Sequence, residues 1–147
     1  MYITGTRLAL STRAAQNKHI LRLFDVTRQL PKPTASFYLD KFPKLYDSFE
    51  GEVTCSLFSP DEMYLTLARN DNSVHMYDLR FLEKGPIFKY THLGESKVES
   101  TTSTYGVTKA EWLHSKQTGR MALVTGGEDG AYFFLSSYHA IDLQLSI

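Results

Sequence analysis

Glu52–Arg80 reads EVTCSLFSPDEMYLTLARNDNSVHMYDLR, and its punctuation decides the fold. Glu52–Phe58 (EVTCSLF) has the short, β-branched and apolar character of a strand and stops at Ser59-Pro60-Asp61-Glu62, a turn with proline at its second position. Met63–Ala68 (MYLTLA) is a second strand, and Asn70-Asp71-Asn72-Ser73 is a polar reversal built from residues that tolerate positive φ. Val74–Leu79 (VHMYDL) is a third, and Ile87–Thr91 (IFKYT), after Gly85-Pro86, is a short fourth. Four short antiparallel strands joined by tight turns form a meander, which is too small to bury both of its faces alone.

The same grammar recurs on either side. Downstream, Val107–Leu113 (VTKAEWL) matches Val53–Ser59 with Trp112 in the place of Phe58, Met121–Gly126 matches the second strand, and Gly127-Glu128-Asp129-Gly130 matches the Asn/Asp turn. Ala131–Ser136 (AYFFLS) follows as a third strand. Upstream, Arg7–Ser11 (RLALS) and Ile20–Val26 (ILRLFDV) stand as the second and third strands of an earlier unit, with Phe24-Asp25 aligned on Tyr77-Asp78. Asp71 and Asp129 each precede the third-strand marker by six residues (71 to 77, 129 to 135). Both are expected to cap backbone N–H groups in tight turns, at a cost of about 1 kcal/mol when either is replaced by Ala. The connections from one third strand to the next opening valine are long, 29 residues (24 to 53) and 30 (77 to 107), so both carry insertions, around Pro31–Pro33 and Ser96–Thr104.

These residues carry a resemblance. Val53–Arg80, with its Phe-Ser-Pro-Asp and its aromatic-Asp pair, resembles a WD-repeat of a β-propeller, and Leu123–Gly130 (LVTGGEDG) resembles the second strand and turn of another. The resemblance implies an all-β chain, a partial β-propeller of WD-like four-stranded antiparallel blades. Residues 7–30 would form part of a first blade, 52–92 a full blade and 105–137 most of a last one. It also implies that Phe24, Tyr77, Asp25, Asp78, Asp71 and Asp129 are structural blade and turn residues. The family often has a Gly-His pair before the first strand. That histidine position falls on Phe49 in the middle unit and Ser103 in the last, so the hydrogen-bond tetrad of such blades is expected to be incomplete. With fewer than three blades by repeat length, a first unit lacking its opening strand and a last lacking its outer strand, the expectation is a fragment of a larger propeller. Open flanks would be completed by another chain or by self-association.

Composition narrows the function. The 147 residues hold 42% hydrophobic and 22% charged residues, the balance of a globular protein. Sixteen Lys+Arg against sixteen Asp+Glu leave no basic excess for phosphate neutralisation or for a charged membrane surface. A single Cys55 permits no internal disulfide, and neither a secretory leader nor a run of roughly 20 apolar residues is visible, which points to an intracellular protein of cytoplasm or nucleus. The five histidines (His19, His75, His92, His114, His139) show no metal-ligand spacing, and His75, alternating outward in its strand, is expected at the surface. Gly126–Gly130 leads into a strand rather than a helix, so it reads as a hairpin turn and not a phosphate loop. Cys55 lies mid-strand without a catalytic signature, Ser59 is not in a nucleophile elbow, and Glu128-Asp129 reads as turn chemistry.

No catalytic, cofactor or metal constellation is therefore expected. In the first long connection Phe37, Tyr38, Phe42, Tyr46 and Phe49 mingle with Lys32, Lys41 and Lys44, but also with Asp40, Asp47, Glu50 and Glu52. Three readings stand: a nucleic-acid patch, an outer strand with a loop that packs down, or a partner-binding patch. The expected function is a non-enzymatic protein-interaction scaffold that binds neither nucleic acid nor membrane. The alternatives are a remnant gene product without independent function, or a propeller channel holding a small ligand.

Overall fold

The computed structural model describes residues 2–4, 6–14, 18–28, 32–39, 44–46, 49–50, 52–92, 106–127 and 132–136. Among them there is no α-helix, only thirteen strands and a single 3-10 turn at Leu82–Lys84. The first sheet runs β1 (Tyr2–Thr4), β2 (Arg7–Ala14), β3 (Lys18–Asp25), β4 (Ala35–Tyr38), all antiparallel and in chain order. After a small pair, β5 (Lys44–Tyr46) with β6 (Phe49–Glu50), the second sheet repeats the meander. Its strands are β7 (Val53–Phe58), β8 (Tyr64–Arg69), β9 (Ser73–Asp78) and β10 (Phe88–Thr91). The third sheet contains β11 (Val107–His114), β12 (Met121–Gly127) and β13 (Tyr132–Ser136).

Two differences from the sequence expectation concern the first sheet. It has an opening strand, β1, whose three residues are too few to show a period, and it extends past residue 30, the expected end of the first unit, through an outer strand, β4. Phe37 and Tyr38 of the aromatic-rich connection lie on β4, as the outer-strand reading of that connection has them, whereas Phe42 lies outside the described residues. An outer strand of the third sheet would fall after Ser136, also outside them.

The sheets stack face to face. Opening strand β7 lies against β1 and β2, and β11 lies against β7 and β8. Ala9, Leu21, Leu23 and Leu39 from the first sheet form one apolar cluster with Phe58, Leu65, Leu67, Tyr77 and Leu82 from the second. A separate cluster joins Leu57, Ala68 and Val74 to Val107 and Leu123 of the third, with Cys55, Tyr90, Ala110 and Trp112 packed on it. Pairing registers sort the side chains. Leu65 and Tyr77 are partners and face the first sheet, as do Leu67 and His75, whereas Ala68 and Val74 face the third. The middle sheet thus has a layer on each side, and β8 is buried at five consecutive positions instead of at alternate ones. The same circumstance corrects the expectation for His75. Alternation sends it to the second face, but that face is covered, and His75 is buried.

Turns behave as their residues require. Asn72 takes φ +62° in the β8–β9 reversal. Glu62 takes φ +56° at the end of the Ser-Pro-Asp turn, held by its N–H to Ser59 O (2.9 Å) and by Arg7 Nη1 donating to its carbonyl (2.9 Å). Gly106 admits no side chain: its φ is +63° and a Cβ there would sit 2.4 Å from the Asn70 backbone. The chain therefore enters β11 pressed against the β8–β9 turn, and the Thr54 hydroxyl donates to Val107 O across the same seam. The architecture is all-β, in antiparallel sheets stacked as an open series, with no closed propeller among the described residues.

Candidate interaction surface

Three aspartates do one job, each at the end of a hydrogen-bonded hairpin segment. Asp25, closing β3, accepts from the Thr27 N–H (3.0 Å) and hydroxyl (2.6 Å) and pairs with Arg28 (3.2 Å). These donors hold its carboxyl below the ordinary value, the Thr27 hydroxyl contributing most. Asp78, closing β9, accepts from Arg80 N–H (2.9 Å), Nε (2.9 Å) and Nη2 (2.6 Å). The Arg80 guanidinium, then its N–H, draw the carboxyl down from 3.8 to about 2. Asp71, in the β8–β9 turn, accepts from the Ser73 N–H (3.1 Å) and hydroxyl (2.5 Å). Asp129 lies outside the described residues.

Asp71 has a second role that its turn position does not announce. Arg69 is buried, and its Nη2 lies 2.8 Å from Asp71 Oδ2. Arg69 Nη1 also reaches the His75 ring, 3.2 Å from Nε2 and 3.3 Å from Nδ1. Arg69 and His75, both buried, and the half-buried Asp71 and Ser73 therefore form one polar group at the end of the second hairpin. A charge in that place depends on its counter-ion.

The aromatic markers are placed differently from each other. Tyr77 is buried between the first and second sheets, 6.4 Å ring to ring from His75. Phe24 holds the equivalent place at the end of β3 but is only half-buried, because it faces away from the second sheet.

Sequence reasoning missed His92. It follows β10, is buried, donates its N–H to Asn72 O (2.9 Å), and sets Nε2 2.8 Å from the Thr125 hydroxyl on β12. The Tyr90 hydroxyl reaches the same Thr125 oxygen at 2.8 Å, and burial pushes its ionisation up to about 12. His92 thus links the end of the second sheet to β12 of the third. Exactness of register reveals why: Ala35–Tyr38 and Phe88–Thr91 are offset by 53 residues, and so are Leu39 and His92. Leu39 N–H donates to His19 O (2.9 Å) as His92 N–H does to Asn72 O. Leu39 lies in the cluster with Leu67, whose register place Thr125 takes on β12. At the first junction this position is a leucine buried in the same apolar cluster as Leu67, and at the second a histidine bonded to threonine.

What the surface offers lies at the strand ends. Phe81 is exposed in the β9–β10 loop, with Lys84 Nζ 4.5 Å and Arg80 Cζ 5.6 Å from its ring centroid, and Ile87 is exposed beyond it. Two clefts open along the seams. One of about 390 Å3 is lined by Cys55, Leu57, Ser59, Ala110 and Trp112, and one of about 360 Å3 by Thr6, Leu23, Asp25, Thr34 and Leu82. Among the described residues no three His, Cys, Asp or Glu side chains gather into a metal-binding group, and no helix is long and apolar enough to cross a membrane. No family model and no curated protein matches the chain.

Proposed function

We propose that these sheets are WD-like propeller blades and that the chain acts as a non-enzymatic protein–protein interaction scaffold. The observation that carries this reading is the repeated unit. Third strand, outer strand and the buried residue after it recur at one 53-residue offset in two sheets that stack face to face. Such a frame fixes the backbone and leaves binding to the turns at its rim. The β9–β10 loop is the contact surface in this proposal, because it sets two apolar side chains, Phe81 and Ile87, beside two cations on a braced turn.

The test is affinity capture with the tagged chain followed by mass spectrometry, in parallel with a Phe81→Ala/Ile87→Ala variant. Stoichiometric protein partners that the variant loses, at an unchanged unfolding midpoint, support the reading. Partners retained in full by the variant overturn the loop assignment. Catalytic turnover by the purified chain overturns the non-enzymatic one.

A further inference from the structure

The two end faces of the stack carry the register positions that form the two sides of the junctions inside it. By register, Leu8, Leu65 and Leu123 are equivalent, as are Leu10, Leu67 and Thr125, and Phe24 and Tyr77. In the second and third sheets the first two of these positions are buried under the preceding sheet, and Tyr77 is buried there in the second. In the first sheet Leu8, Leu10 and Phe24 are half-buried, with Ile20 and Tyr38 beside them on the same face and Tyr38 70% exposed.

The far end mirrors this. Ala9 and Thr66 are fully buried on faces turned to the following sheet, while their register equivalent Val124 is half-buried. Leu113, one residue after Trp112 as Ser59 is after Phe58, is 47% exposed where Ser59 is buried. That face also carries Glu111, with Lys109 nearby, and the face at the other end carries Arg22.

We propose that a second copy of this chain seats the Leu113/Val124 face of its third sheet on the Leu8/Leu10/Phe24 face of the first, head to tail. The proposal rests on the blade reading above and adds the partner that covers its ends. A second copy fits because the chain itself carries both surfaces, in the strand register that its internal junctions use. Arg22 on the first face donates to Thr12, and the other face carries Lys109 and Glu111 together, so neither face presents a charge excess that would repel the other. The contact is heterologous, joining two different faces, so each copy uses both of its ends.

Sedimentation velocity over a concentration series tests this with two variants at exposed positions, Tyr38→Glu on one face and Leu113→Glu on the other. Circular dichroism and Trp112 emission check that each keeps its fold. The full chain is expected above its 16.7 kDa protomer mass. Each variant alone is expected to self-associate more weakly by about tenfold or more, since a carboxylate is forced into an apolar seam. An equimolar mixture regains complexes, because one intact seam remains between unlike variants. A chain that stays at protomer mass throughout, variants that assemble like the parent, or a mixture that recovers nothing overturns the proposal. Partner capture through Phe81 by a chain found to be monomeric leaves the scaffold function standing, so the two proposals fail separately.

Discussion

Leu65 and Leu8 occupy one register position on successive sheets, yet among the described residues only Leu65 lies in a cluster shared with a preceding sheet. Replacing each by Ala therefore isolates what stacking contributes. Leu65 is 0% exposed in the cluster with Ala9, Leu21 and Tyr77, so Leu65→Ala removes buried methyl groups and leaves a cavity in a junction that β-sheets on both sides hold open. Such truncations cost about 2–5 kcal/mol, and about 3 is expected here. Leu8 is half-buried and leaves no enclosed void, so Leu8→Ala should cost about 1 kcal/mol or less. For a chain of this size the two translate into losses in melting temperature of roughly 6–12 °C and roughly 2–4 °C. Urea unfolding followed by circular dichroism measures both, in the Tyr38→Glu background so that the protomer alone is compared. Equal costs would refute the argument that stacking, rather than the strand's own sheet, buries this position. A Leu65→Ala cost under about 1 kcal/mol would remove the first junction altogether.

Asp71→Ala should cost about 3 kcal/mol, above the 1 kcal/mol of a turn hydrogen bond, because it removes the carboxylate paired with the buried Arg69; adding Arg69→Met should recover much of that loss in chemical denaturation. Thr125→Val withdraws the oxygen shared by Tyr90 and His92 and should cost about 2 kcal/mol, while Tyr90 ionisation, followed by ultraviolet absorbance, shifts. Asp78 has its folded pKa depressed, from 3.8 to about 2, so its stabilising contribution is present above pH 3.8 and lost as pH falls toward 2. Thermal melts of Asp78→Asn should accordingly lie below the parent from pH 7 to about 4 and converge with it near pH 2; a gap unchanged at pH 2 would count against the Arg80 pairing.

The second sheet was legible because its turns carry their own chemistry. Ser59-Pro60-Asp61 and Asn70–Ser73 mark the reversals, and Trp112 and Phe58 do occupy equivalent places, each packed toward the preceding sheet. Strand β1 was not legible, since three residues define no period. His75 was misjudged because a period of two identifies faces but not what covers them, and the cover comes from strands distant in sequence. His92 escaped notice for another reason. It follows β10 with no local motif around it, and only the paired registers of β3–β4 and β9–β10 show that Leu39 is its counterpart. The partners Arg69 and Thr125 likewise look ordinary in the sequence, because a buried charge and a shared hydroxyl oxygen become apparent only once the hairpin is closed.

The two junctions differ in chemistry at one position, an apolar cluster around Leu39 in the first and the His92–Thr125 pair in the second, and this difference distinguishes the sheets. Were the second sheet followed by a copy of itself, the His92 imidazole would be set against Leu67, stripped of water and of the Thr125 oxygen that it meets in the native order. Repeats this similar in strand pattern could otherwise pair out of sequence while the chain folds, skipping or transposing a unit. The mismatch penalises such shuffled orders without weakening the correct one, so rearranging the repeats by genetic engineering should require moving each closing residue together with its receptor.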